Sequence, residues 1–370
     1  MKLKEFDVET WMTDYELDCK YNLTETCVAS LSLNDLKRLS GKELEHDVFS
    51  MIMDYGPIVG SDELKKAILS LYKTKNLDDV TITHGAINGN ELVLMTLLEP
   101  NDHVISLFPT YQQMYDFPES LGCDVSFVYL REESNWECHI DDFQKVLKPN
   151  TKMICLNSPN NPTGTTFKED MIIQICEFAK EHDLYILCDE IYRSLDHKTQ
   201  LLMPSFADYY DKAIVTQSLS KVYSFAGLRL GWIIANEDII RDINLRRDYH
   251  IISSGPLNDY LGTVVLNLKD DILKRSDEIT SKGKELLKQW LINEPHFSCV
   301  IPEYGTVGFL KYDFDIPSAQ FCIKLQKETG IFFVPGSCFG IENHVRFGFT
   351  HSDHIEKALP ILSEWAKQFD

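Results

Sequence analysis

Residues 218–232 read Ser218-Leu-Ser-Lys221-Val-Tyr-Ser-Phe-Ala-Gly227-Leu-Arg229-Leu-Gly-Trp232. A strand-length apolar run, Ala213 to Gln217, ends immediately before this stretch, and another, Leu230 to Ala235, begins inside it. Lys221 is therefore held close to a core, where a lysine is costly unless it has a task.

One such task is a Schiff base. An amine beside packed apolar groups and near another cation has a lowered pKa, so more of it is the free amine that attacks an aldehyde. Arg229, a planar fork fed by Gly227, suits a phosphate, and Ser218 with Ser220 offers hydroxyl donors. A lysine for an aldehyde with an arginine and serines for a phosphate describes a site for pyridoxal 5'-phosphate. Ser-x-Ser-Lys alone would read as an ordinary strand end; Gly-Leu-Arg-Leu-Gly-Trp at its fixed distance downstream decides for the cofactor.

The pair of segments resembles the cofactor-lysine region of the class I and II aminotransferases, the fold-type I pyridoxal-phosphate enzymes. The resemblance implies an α/β fold with a mostly parallel central sheet in a large domain, joined to a smaller α+β domain. It also implies an aminotransferase acting on an α-amino acid and a 2-oxo acid.

Composition agrees with a globular enzyme. A chain of 370 residues exceeds one ordinary core, and 44% hydrophobic with 25% charged residues are globular proportions. The net charge of -21 argues against nucleic acid and anionic membranes as partners. Ten scattered cysteines without a Cys-x-x-Cys read as small core residues of a reducing compartment, so no metal site is expected. The start has no apolar signal core, and no run of about 18 apolar residues offers a membrane span, so the expected location is the cytoplasm.

Along the chain, Val8 to Lys20 reads as an amphipathic helix, with a second helix from Ser32 and a third capped by Ser61. Then Val104 to Phe108, Val125 to Leu130, Met153 to Leu156, Leu184 to Cys188, Ala213 to Gln217 and Leu230 to Ala235 are strand-length. Several are separated by helical stretches such as Lys168 to His182, the pattern of βα units around a parallel sheet. The last two runs lie too close for a helical crossover, so the second is expected to be antiparallel and at an edge. A long helix from Leu273 to Leu291 follows, then strands Gly308 to Tyr312, Ile331 to Val334 and Val345 to Phe349 and a closing helix. The expected division is a large domain over residues 45–265 and a small one from residues 1–44 plus 266–370.

Ligands of open α/β sheets bind beyond the carboxyl ends of the strands, and the candidate residues fall there. Asp189-Glu-Ile-Tyr192 follows one strand. A carboxylate at that place pairs with a pyridine nitrogen and keeps it protonated, although an isolated Asp-Glu reads better as a cap or turn. Tyr192 is placed to donate to the ring hydroxyl oxygen, with a half-buried core tyrosine as the competing reading. Asn157-Ser-Pro-Asn-Asn161-Pro-Thr-Gly164 follows another strand, and the Asn161 amide is suited to the same ring oxygen. Thr83-His-Gly85-Ala86-Ile87-Asn-Gly precedes an apolar helix, where free NH groups and the helix dipole bind phosphate. Tyr111 is either a stacking ring or a core aromatic.

Arg346, in His-Val-Arg-Phe-Gly-Phe, resembles the family's clamp for the substrate α-carboxylate, with a structural salt bridge as the alternative. Tyr55 matches the family position that reaches the phosphate of a partner subunit, which implies a homodimer. The first fifty residues depart from the family pattern. Their acidic helix, with Asp14 and Glu16, looks somewhat like the arginine-processing oxidase and cyclase branch, in which such a helix meets a guanidinium. A solvated helix face is the other reading. A cyclase or oxidase acting on a cationic amino acid and a β-lyase are therefore the alternative enzymes. A non-catalytic regulator is disfavoured, since no basic DNA-binding segment is present.

Overall fold

The structure, a computed structural model, describes residues 2–196, 199 and 201–369. In chain order its strands are β1 (Tyr21–Asn22), β2 (Val80–Thr83), β3 (His103–Phe108), β4 (Asp124–Tyr129), β5 (Thr151–Asn157), β6 (Tyr185–Asp189), β7 (Ala213–Ser218) and β8 (Gly231–Ile234). After these come β9 (Phe297–Cys299), β10 (Val307–Tyr312), β11 (Ile331–Phe332), β12 (Val334–Pro335) and β13 (His344–Gly348). Strands β2 to β8 form a seven-stranded sheet in the order β2-β8-β7-β6-β5-β3-β4.

The apolar runs are continuous because this sheet is covered on both faces. Ile154, Leu156, Ile186, Cys188, Val215 and Trp232 enter one core. Their neighbours Met153, Cys155, Leu187, Ile214 and Ile233 enter another on the opposite side, with the helix Gly85–Leu97. Alternation by strand pleat therefore persists inside runs that look uniformly apolar. The helix Glu169–Glu181 adds Ile172, Ile175 and Phe178 to the first core.

β8 is antiparallel to β7, as its short connection requires, but it is not at the edge. β2 lies outside it, with Val80 paired to Ile234 and Thr83 to Gly231. Four residues with alternating threonines gave too little signal to mark β2 as a strand.

The C-terminal unit is a four-stranded sheet, β12-β13-β10-β9. It packs with the helices Lys269–Leu291, Ser318–Thr329 and Ser352–Ala366 around Leu310, Phe321, Phe347 and Leu362. The expected strand Ile331 to Val334 is split. Ile331 and Phe332 pair in parallel with Tyr21 and Asn22, whereas Val334 and Pro335 pair with Arg346 and Val345 of β13. The N-terminal segment touches both units, since Leu23 sits in the C-terminal core while Leu36 and Leu44 pack beneath the large sheet. Its first helix spans Asp7–Tyr15 and continues only as a 3-10 turn over Glu16–Asp18. It stops short of Lys20 because Lys20 and Tyr21 donate their NH groups to Gly330 O, at 2.8 and 2.9 Å, to enter β1.

Candidate functional site

The carboxyl ends of β3, β5, β6 and β7 open into a cavity of about 390 Å³, within the size range of small-molecule sites. Tyr111, Asn161, Asp189 and Lys221 enter it from these strand ends. Ala86 and Ile87 enter from the helix after β2, and Arg229 from the turn before β8. The N-terminal helix and Arg346 of β13 close the opposite wall.

Asp189 is buried. Its Oδ2 accepts from Asn90 Nδ2 at 3.0 Å and its Oδ1 from the Ile191 NH at 3.0 Å. Burial pushes its carboxyl up to about 6, against the lowering effect of Asn90, Ile191 and Lys221. It is a carboxylate held ready for a cation. The neighbouring Glu190 turns the other way, accepting from the Phe206 NH at 2.8 Å within the core.

Lys221 Nζ donates to Thr26 Oγ1 at 2.7 Å and to Cys27 Sγ at 3.4 Å. The lowered pKa expected from sequence is not found. Burial does lower it, but Cys27, Tyr192 and Glu25 facing the amine outweigh burial and Arg346, and hold it above the ordinary lysine value. Burial also pushes the Cys27 thiol and the Tyr192 phenol up. Burial raises the Glu25 carboxyl too, yet Lys221 and the Cys27 NH bring it below the usual carboxylate range.

Arg229 and the start of the helix Gly85–Leu97 form one corner. A Cβ on Gly85, whose φ is +77°, would lie 2.9 Å from Arg229 Nη2. One on Gly231 would lie 2.5 Å from the Gly85 carbonyl carbon. Only glycine permits this approach of a guanidinium to a helix N-terminus, a place suited to an anion.

Arg346 is buried on β13. Its Nε donates to Thr24 Oγ1 at 3.0 Å, and its Nη2 lies 3.8 Å from Met12 Sδ. Val8, Met12 and Glu16, four residues apart, share the helix face turned to the cavity. Glu9 also lines it and accepts from Tyr111 Oη at 3.0 Å. Glu16 accepts from Asn22 Nδ2 at 3.0 Å. Burial, with Glu25 nearby, raises its carboxyl against the pull of Arg346.

Of the residues picked from sequence, Ala86, Ile87, Tyr111, Asn161, Asp189, Tyr192, Ser220, Lys221, Arg229, Arg346 and Glu16 all line the cavity. Ser218 does not: it is fully buried at the end of β7, and its hydroxyl accepts from the Ser220 NH at 3.2 Å. Gly85 lies behind the wall against Arg229. Tyr55 is 64% exposed and away from the cavity, as is the solvent-facing Asp14. Sequence reading missed Glu9, Glu25, Thr26 and Cys27, and the Asn90 that holds Asp189. Only the carboxylates at helical spacing gave a signal for the first of these.

A large doubly covered sheet with a buried aspartate and a lysine at its strand ends defines a fold-type I pyridoxal-phosphate enzyme. The profile of "Aminotransferase class I and II" matches residues 26–361, and the chain belongs to that family. A solved PLP-dependent aminotransferase from Streptococcus suis 89-1591 is similar over 100% of this chain and 99% of its own, with 37% identity and a TM-score of 0.96. Capreomycidine synthase of Streptomyces vinaceus is 24% identical over 360 residues, covering 96% of this chain and 92% of its own length. An aspartate aminotransferase of Pyrococcus horikoshii is 26% identical over 324 residues, covering 82% and 83%. The protein is a pyridoxal-phosphate-dependent aminotransferase acting on amino-acid and 2-oxo-acid substrates.

The residues present fit the cofactor. The Asn161 side-chain oxygen is buried in the wall without a hydrogen-bond partner among the described residues. Asp189 supplies a buried carboxylate for a ring cation, and the Arg229 corner supplies an anion site. No helix among the described residues is long and apolar enough to cross a membrane.

Proposed function

We propose that Lys221 carries the cofactor and moves the substrate proton during transamination of an α-amino acid with a 2-oxo acid. The observation that carries this reading is the meeting, in one cavity, of Lys221 with Asp189 and Arg346. When bound, pyridoxal phosphate supplies an aldehyde that links to amines and a protonated ring that draws electrons from the α-carbon. Lys221 Nζ would hold the aldehyde and, when free, would take the α-proton and return it. Asp189 keeps the ring nitrogen protonated. Asn161 and Tyr192 would bind the ring oxygen, Tyr111 would pack against the ring, and Arg229, Ser220 and the NH groups of Ala86 and Ile87 would hold the phosphate. Arg346 orients the α-carboxylate, so that the bond to be broken is fixed.

The cavity wall favours a further reading of the substrate. Once Lys221, Arg229 and Arg346 are assigned to aldehyde, phosphate and carboxylate, Glu9 and Glu16 still face the cavity. They suit an amino acid with a cationic side chain. Cyclase or oxidase chemistry on such a substrate is the alternative outcome, with a β-lyase behind it.

This reading includes a homodimer in the cytoplasm and the two-domain division at about residues 45 and 265. The exposed run Phe49, Ile52, Met53 and Tyr55 is an apolar surface suited to a second copy. It lies beside Ser253, whose hydroxyl donates to Tyr55 O.

The test follows the cofactor's visible absorbance as amino acids are added. A change reversed by a 2-oxo acid supports transamination, oxygen uptake moves the assignment to an oxidase, and pyruvate release moves it to a lyase. Full turnover by Lys221→Ala would overturn the assignment of Lys221.

A further inference from the structure

Thr26 is buried, and its hydroxyl oxygen lies 2.7 Å from Lys221 Nζ. Tyr192 lines the same cavity. The Thr26 backbone is fixed on both sides: the NH donates to Glu25 Oε1 at 2.7 Å, and the carbonyl accepts from Thr306 Oγ1 at 2.9 Å. Two residues on, the Val28 NH donates to the Lys221 carbonyl at 3.2 Å, so this N-terminal segment runs alongside the lysine itself.

We propose that Thr26 is a positioning residue for Lys221, its hydroxyl holding Nζ at one point of the cavity wall whenever the amine is not bonded to the cofactor. The inference rests on the reading of Lys221 as the cofactor lysine. A hydroxyl is suited to the task because it accepts from an ammonium and donates to a neutral amine. Nζ thus keeps a partner before and after it moves a proton. A carboxylate in the same place would hold the proton too firmly, and a methyl group would leave a buried amine unpaired. The other titratable or charged groups facing Nζ are Glu25 and Cys27 from the same segment, Asp189 and Tyr192 from the end of β6, and Arg346 from β13.

Thr26→Val, of nearly the same shape, is compared with Thr26→Ser. The valine variant is expected to lose about 10- to 100-fold in kcat, the factor that one hydrogen bond to a charged group supplies, with KM little changed. Serine is expected to restore most of it. A second readout needs no turnover. In the full-length protein stripped of cofactor, cyanate labelling of Lys221 is followed by peptide mass spectrometry across pH. Loss of an acceptor for the ammonium should move the labelling midpoint to lower pH in Thr26→Val and not in Thr26→Ser. Should valine prevent folding, Thr26→Ala carries the same measurements.

A valine variant with the wild-type kcat and midpoint overturns the inference, as does a serine variant as impaired as valine. Borohydride reduction of the wild-type protein with added pyridoxal phosphate separates the two levels. Cofactor fixed at Lys221 with an unaffected Thr26→Val defeats only the role of Thr26, whereas cofactor fixed elsewhere defeats the reading beneath it.

Discussion

The Asn90 amide joins Asp189 to the neighbouring strand: its nitrogen donates to Asp189 Oδ2 at 3.0 Å, and its oxygen accepts from Thr216 Oγ1 at 2.6 Å. Asn90 stands on the helix whose N-terminus faces Arg229. The ring-nitrogen and phosphate ends of the proposed cofactor site are therefore set by one rigid element.

Asp189 makes a prediction about stability as well as activity. Its carboxyl is raised from 3.8 to about 6. As pH rises through that window, the folded protein keeps a proton that the unfolded chain has already released, so stability falls, by about 3 kcal/mol. In cofactor-stripped protein, Asp189→Asn should melt a few degrees higher than wild type at pH 8 and show no advantage at pH 4. It should also bind pyridoxal phosphate about 100-fold or more weakly. Equal melting at both pH values, or undiminished affinity, would contradict the proposed role.

Arg346→Lys keeps the charge and removes the fork. The expected result is a rise of about 10- to 100-fold in KM for the amino acid, with cofactor binding unchanged. Steady-state kinetics beside a cofactor titration separate the two, and an unchanged KM would point to a structural role through Thr24.

Glu16→Gln, alone and with Glu9→Gln, should lower kcat/KM for lysine, ornithine or arginine by about 10-fold relative to norleucine. Because the Glu16 carboxyl is raised, the wild-type preference for cations should fade as pH falls, beginning above the usual carboxylate range. A wild-type enzyme that favours norleucine at every pH would remove the cationic reading.

Ile52→Glu places a charge in the exposed apolar run of residues 49–55. Sedimentation velocity should show wild type at the mass of two chains and the variant shifted toward one. A single species at one chain's mass in both proteins would refute the proposed dimer.

The parallel sheet was legible because each central strand is buried on both faces and so appears as an unbroken apolar run. The cofactor end of the site was legible for a related reason: Asp189, Asn161 and Lys221 each follow such a run directly. β2 was not, since four residues shared between valine, isoleucine and two threonines carry too little contrast. Ser218 was misplaced because sequence cannot tell a hydroxyl turned into a cavity from one folded back on its own turn. Thr26 and Cys27 were missed for a different reason. Their contact with Lys221 spans nearly two hundred positions and depends on how an irregular segment lies against β7. The raised Lys221 amine follows from the same gap, since Cys27 and Glu25 both enter from that segment.

The pairing of Tyr21 and Asn22 with Ile331 and Phe332 orders events during synthesis of the chain. The acidic helix is made long before the strand that anchors it. The sheet bearing Asp189 and Lys221 has all its strands by Ile234, long before that anchor exists. A nascent chain thus acquires its chemical floor before its selective mouth, and the two cannot meet as one cavity until Ile331 and Phe332 have been added.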